Sequence, residues 1–336
     1  MRKMLLIYMI LIGALIIYIM QYRLDEKSAA WTEQGLKGNI DENYVMVTFQ
    51  SGMEYWKSGL KGFEDAAEAL NVSVEYRGAT QYDAREQALV LDQIIAKKPA
   101  GIAISAIDSP ALVKSVNKAV DAGIPVVMFD AEASGSKAYS FLATDNTNAG
   151  TTAADQMAKL TKHQGKIAII TLTNQQNHKE RTQGFEQEIK NRYPQMKIIA
   201  VENHEGDAVK AEQITTQLLR QYPDLKGIFI TEATGSYGVG RAVEQSGRTG
   251  SSKPVIISFD TNKETLDMIK SGTINATIAQ GTWNMGYWSL QYLFHLHHGL
   301  TVPARSLSGI VSPVPVRVDT GISVVTQENV ADYYAK

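Results

Sequence analysis

The stretch GIPVVMFDAE, residues 123–132, decides the fold. A turn signal, Gly123 with Pro125, leads into the apolar run 126–129 and then at once into an acid, Asp130. A short unbroken apolar run bounded by turn residues reads as a strand buried on both faces, as in a parallel sheet. A carboxylate straight after such a strand sits at its carboxyl end, where open α/β sheets place their ligands. The pattern returns at 254–262, PVIISFDTN, with the same proline, apolar run, Phe-Asp pair and polar exit. Two matching strands, each followed by a helical pattern, suggest two similar lobes facing one cleft.

Working outward, the first half reads β-α-β-α-β-α-β. Strands are expected at 44–49, 72–76, 99–105 and 126–129, with helical patterns between them, and a further strand at 139–143. From Thr151 the series starts again, with strands at 166–172, 196–201, 225–231 and 255–260. Gly184-Phe185 in the second half matches Gly62-Phe63 in the first. The expected fold is α/β: two similar doubly wound parallel-sheet lobes joined by a multi-strand hinge. A β-branched tail, 314–325, is too small for a third domain and is expected to cross back and complete both lobes. The expected division is lobe 1 at 44–144 plus 281–313, and lobe 2 at 145–280 plus 314–336.

The N-terminus has a different composition. Arg2 and Lys3 precede an apolar segment at 4–20, at the lower edge of a membrane span. Charges at 21–27 separate it from the first small pair, Ala29-Ala30, unlike the short core and close cleavage site of a secretory signal. Residues 1–22 are therefore expected to be an uncleaved signal anchor and 23–43 a stalk. The leading charges place the bulk of the chain outside the cytoplasm, at the cell membrane.

Composition narrows the chemistry. The chain has 336 residues, 44% hydrophobic and 20% charged, which are globular values. A formal net charge of -2 argues against a nucleic-acid surface. The absence of cysteine excludes disulfides, thiol catalysis and a lipid-modified cysteine. No nucleophile elbow, zinc signature or phosphate loop is present, so neither an enzyme nor a metal or other cofactor is expected.

The polar residues of interest fall at strand ends: Gln50 with the aromatic loop Tyr55-Trp56, Asp130, Asn177 and Arg181, Glu232, Asp260 and Gln280. Carboxylates accept hydrogen bonds from adjacent hydroxyls, Arg donates a planar fork, and Gln does both. Tyr and Trp offer flat apolar faces for the C–H face of a sugar ring. That mixture suits a neutral polyol. Thr261 and Glu264 form a capping-box pattern that would leave the Asp260 carboxylate free. Trp283 stands near the same group in sequence, without a decisive sign of contact. His295, His297 and His298 suit a helix C-terminus better than a metal.

These motifs resemble the type I periplasmic sugar-binding proteins, the family of the ribose, galactose and xylose receptors. The resemblance covers 44–325 and rests on QSGMEYW at 50–56, IPVVMFD at 124–130 and TDN at 144–146. It rests also on KERTQGF at 179–185, ISFD at 257–260 and ATIAQ at 276–280. It implies that Tyr55 and Trp56 pack on a sugar, and that Asp130, Arg181, Glu232, Asp260 and Gln280 are hydrogen-bonding positions. Ala131, Glu232 and Met53 depart from the ribose receptor and imply a more acidic, differently shaped pocket. The implied partner is the permease of an ABC sugar importer; the alternative is a membrane histidine kinase or chemoreceptor for which the protein is a sensory adaptor.

Overall fold

A computed structural model of the chain describes residues 12–16, 18 and 35–334, except 108, 174, 302–304, 307, 308 and 311. Most of the apolar segment 4–20 and of the stalk 23–43 lies outside the described residues. Residues 12–16 are helical, and among the described residues no helix is long and apolar enough to cross a membrane.

The first half runs β1 (Asn43–Thr48), α1 (Trp56–Leu70), β2 (Ser73–Gly78), α2 (Ala84–Ala96), β3 (Gly101–Ile104), α3 (Ser109–Asp121), β4 (Val126–Phe129) and β5 (Phe141–Ala143). The second repeats it: α4 (Asn146–Thr161), β6 (Gly165–Thr171), α5 (Gln176–Arg192), β7 (Met196–Asn203), α6 (Ala208–Gln221), β8 (Leu225–Ile230), α7 (Ala233–Gln245), β9 (Val255–Phe259), α8 (Lys263–Lys270) and β10 (Ala276–Gln280). Then come α9 (Thr282–His297), the short hairpin β11 (Arg305–Ser306) and β12 (Gly309–Ile310), β13 (Arg317–Asp319) and β14 (Ile322–Thr326).

The two sheets have the same order, β13-β5-β4-β3-β1-β2 and β14-β10-β9-β8-β6-β7. All their pairings are parallel except β10 with β14. Every residue of β4 is buried, which is why it reads as an unbroken apolar run. Full burial of one such side chain stabilises by roughly 1.5–3 kcal/mol.

Each sheet is covered on both faces. In the first lobe Phe63 and Phe294 lie over one face, and Leu91 with Leu112 over the other. In the second, Met157 and Phe185 cover one face, and Leu218 with Val243 the other. Covering helices come partly from the opposite lobe. α9 follows β10 of the second sheet yet packs with α1; α4 follows β5 of the first sheet yet packs with α5.

The tail completes both sheets, as its composition suggested. The boundary differs from expectation, however. β13 pairs with β5 in the first sheet and only β14 joins the second, so 317–319 belong with lobe 1 rather than lobe 2. The chain thus passes between lobes three times, at 143–146, 280–282 and 319–322. The three crossings are tied side by side: Thr320 N–H donates to Ala143 O at 3.0 Å, and Gly281 N–H to Gly321 O at 2.9 Å.

Helix α5 meets α4 backbone to backbone. A Cβ on Gly150 would stand 2.0 Å from the carbonyl oxygen of Arg181, and one on Gly184 would stand 2.1 Å from that of Thr147. No side chain fits there. Gly150→Ala should therefore destabilise the fold by about 1–3 kcal/mol through overpacking against backbone. Guanidinium unfolding checks this, and an unchanged midpoint would contradict the close crossing.

Candidate functional site

The carboxyl ends of both sheets point into one gap. Asp130, after β4, and Asp260, after β9, occupy equivalent places, and both adopt the left-handed conformation, at φ 59° and 65°. Aspartate tolerates that region better than most residues, at a cost on the order of 1 kcal/mol.

From the first lobe, the Tyr55 hydroxyl donates to Asp130 Oδ1 at 2.5 Å, and Ser105 Oγ donates to Oδ2 at 3.3 Å. Burial, then the neighbouring carboxylates of Asp130 and Asp260, push the Tyr55 hydroxyl well above its ordinary pKa, so it stays a donor. Burial also raises the Asp130 carboxyl, against the opposing pull of Tyr55 and Arg181.

From the second lobe comes Arg181, only 2% exposed. Its Nε donates to Asn146 Oδ1 at 2.9 Å, its Nη1 to Thr231 O at 2.8 Å, and its Cζ lies over the Phe259 ring, 3.7 Å from the ring centre. Gly150 and Gly184 allow this, because only glycines let α5 come close enough to α4 for Arg181 to reach Asn146. Beneath it, His178 Nδ1 faces Thr231 Oγ1 at 3.0 Å. Burial, helped by the Arg181 charge, lowers the His178 pKa to about 3, so the ring is neutral.

Asp260 is tied to Gln280, whose Nε2 donates to Oδ1 at 2.7 Å; Thr277 Oγ1 donates to the Asp260 carbonyl at 2.8 Å. The expected capping box at Thr261 does not form. α8 starts later, with Asn262 as its N-cap, and Asn262 Nδ2 donates to Glu264 Oε2 at 3.1 Å. The Asp260 carboxylate is nevertheless uninvolved in capping, as required of a site residue.

Other expected members stand differently. Glu232 is the N-cap of α7: its oxygens accept from Thr234 N–H at 2.6 Å and Gly235 N–H at 2.5 Å. Burial pushes its pKa up, but His204 and the two backbone donors outweigh that and leave it below the ordinary value. It holds a permanent negative charge at the gap, fixed by its own helix. Trp56 belongs to the core. It is 4% exposed, its indole N–H donates to Phe49 O at 3.0 Å, and its ring packs edge-on against Phe129 at 5.9 Å. Of the aromatic pair, Tyr55 lines the site and Trp56 backs it.

Asn177 lies one turn before Arg181 on α5, with its Oδ1 on the N–H of His178 at 3.0 Å. Gln50 lies in the loop after β1 in a left-handed conformation, φ 45°, and is exposed. Trp283 is stacked on Tyr287 at 4.7 Å with its N–H on Asp65 Oδ2 at 2.9 Å.

The sequence reading missed Ser105, Asn146, Thr231 and His204. Thr231 and His204 directly follow β8 and β7, so the strand-end rule that found Asp130 would have found them. His204 is fully buried, and its Nε2 stands 3.1 Å from Glu232 Oε1 without the alignment of a hydrogen bond.

Residues 44–300 match the periplasmic binding protein domain family. The chain belongs to that family. Among curated relatives of this binding-protein family, the D-allose-binding periplasmic protein of Escherichia coli is 28% identical over 260 residues, covering 74% of this chain and 83% of the relative. A solved sugar-binding protein of a sugar ABC transporter from Bacillus halodurans is 59% identical, with TM-score 0.84 over 88% of this chain and all (100%) of that one. The arabinose-binding protein of Geobacillus stearothermophilus is 61% identical, with TM-score 0.83 over the same shares, 88% and 100%. The family resemblance read from the motifs holds, and these relatives are named as sugar-binding proteins, one of them of a sugar ABC transporter.

The charge balance of the site is uneven: one guanidinium, Arg181, faces the carboxylates of Asp130, Asp260 and Glu232. Burial and the neighbouring acids raise the Asp260 pKa to about 6 despite Arg181 and Gln280. An acid raised on folding stabilises the fold while protonated, and that contribution is lost as pH rises from 3.8 to about 6. Asp260→Asn keeps the acceptor for Gln280 and removes the charge. The unliganded variant should melt higher than wild type at pH 7.5, with the difference shrinking toward pH 4. Calorimetric melting across that range checks it; an equal or lower melting temperature at pH 7.5 would contradict the excess of buried negative charge.

Proposed function

We propose that this protein is a membrane-anchored, extracytoplasmic receptor that captures a monosaccharide and hands it to the permease of an ABC sugar importer. The observation that carries the reading is the shared gap where Asp130, Tyr55, Arg181, Asp260 and Gln280 converge from two lobes. These groups offer charged acceptors, a planar donor and an amide, the set that neighbouring sugar hydroxyls require. Three parallel crossings suit a hinge, and closure around the sugar would present a changed outer surface to the permease. The similarity to an arabinose-binding protein puts arabinose first among candidate ligands. A sensory partner, a histidine kinase or chemoreceptor, has no such support, whereas the similar Bacillus halodurans structure is named for a sugar ABC transporter.

Titration calorimetry of the full chain, in a detergent without a sugar head group, tests this. Arabinose should bind, ahead of ribose, allose and galactose, and Asp130→Ala should weaken it about tenfold or more, as loss of a charged hydrogen-bonding partner does. Heat from none of these sugars, or full affinity in the variant, would overturn the reading. The anchor has its own check. After cell fractionation and an alkaline carbonate wash the chain should stay with the membranes, and release into the wash would remove 4–20 as an anchor.

A further inference from the structure

One hydrogen-bonded chain runs from the site into the crossings. Thr144, 6% exposed, directly follows the first lobe's β5, and its Oγ1 donates to Gln280 Oε1 at 2.8 Å. The other end of the same amide, Nε2, donates to Asp260 Oδ1 at 2.7 Å. The polarity is fixed by chemistry: an ionised carboxylate only accepts, so the amide must turn its NH2 to Asp260 and its oxygen to the donor, Thr144.

Both bonds sit where the crossings meet. Asp145 N–H donates to Asp319 Oδ1 at 3.1 Å, and a Cβ on Gly281 would lie 2.0 Å from Thr320 O, so the backbones here are in contact. Asn284 Nδ2 also donates to Thr320 O, at 2.9 Å. Gln280 therefore has little freedom except the rotation of its amide.

We propose that Thr144 is a positioning residue for ligand binding: through the Gln280 amide it holds Asp260 in place and couples that carboxylate to the inter-lobe crossings. This rests on the sugar-binding reading of the cleft. The groups facing Asp260 are Arg181 from α5, Glu232 after β8, Asp130 after β4, Tyr55 before α1 and Gln280 at the end of β10. Of these only Arg181 and Gln280 favour its ionised form, so loosening Gln280 leaves Arg181 as the one remaining group that does.

Thr144→Val keeps the shape and deletes the donor; Thr144→Ser keeps the donor. Calorimetric titration of the full chain with arabinose between pH 5 and 8.5 should show Thr144→Val binding roughly tenfold more weakly at pH 7.5. The pH at which its affinity begins to fall should lie higher than in wild type, while Thr144→Ser stays close to wild type in both. The carboxyl carbon of Asp260, followed by NMR in unliganded protein and assigned by its loss in Asp260→Asn, should titrate at higher pH in Thr144→Val only. An unshifted Asp260 titration in Thr144→Val would overturn the inference whether or not any sugar binds. So would a Thr144→Ser variant as impaired as Thr144→Val. Wild type that binds no sugar while the Asp260 titration shifts would instead sink only the sugar reading and leave the positioning role standing.

Discussion

Arg181 is a cation held nearly out of reach of solvent, and the rest of the site is arranged around keeping it there. A buried charge is tolerated only when it is paired and hydrogen-bonded. Asn146 and a backbone carbonyl hold two of its nitrogens, and Phe259 supports its flat face. The acids of both lobes supply the opposing charge. Two lobes that each carried only acids would repel across the gap. With Arg181 between them, the acids of one lobe and of the other share one cation, and the cleft has a reason to hold together.

That arrangement depends on helix packing some distance from the gap. Arg181 reaches Asn146 because Gly150 and Gly184 let α4 and α5 cross in backbone contact. The first lobe uses the same device, Gly62 lying against the Trp283 carbonyl where α1 meets α9. In both cases one helix of the pair arrives from the other lobe. The swap ties each lobe's covering layer to a crossing segment, so packing, hinge and site are parts of one construction.

The acids outnumber the cation, and this bears on both stability and binding. Burial, together with the neighbouring acids, raises the Asp260 pKa against the opposing pull of Arg181 and Gln280. An unliganded cleft of this kind is less stable than it could be. Sugar hydroxyls that donate to those oxygens would relieve the excess, so part of the destabilisation of the empty protein returns as affinity.

The sequence by itself determined the duplicated α/β pattern, both strand-end aspartates and the tail that completes two sheets. It could do so because burial of a parallel strand on both faces writes itself as a continuous apolar run, and the residue that ends the run is fixed in place by it. Only the tertiary structure decided which of two adjacent aromatics enters the core. Trp56 and Tyr55 look alike in sequence, but the space beside Phe49 and Phe129 accommodates only one. It also decided that Glu232 caps α7, that β13 and β14 part between lobes, and that Thr144 meets Gln280 across a span of 136 residues. Local pattern reports what a segment buries, whereas a side chain's partner depends on where distant segments come to rest.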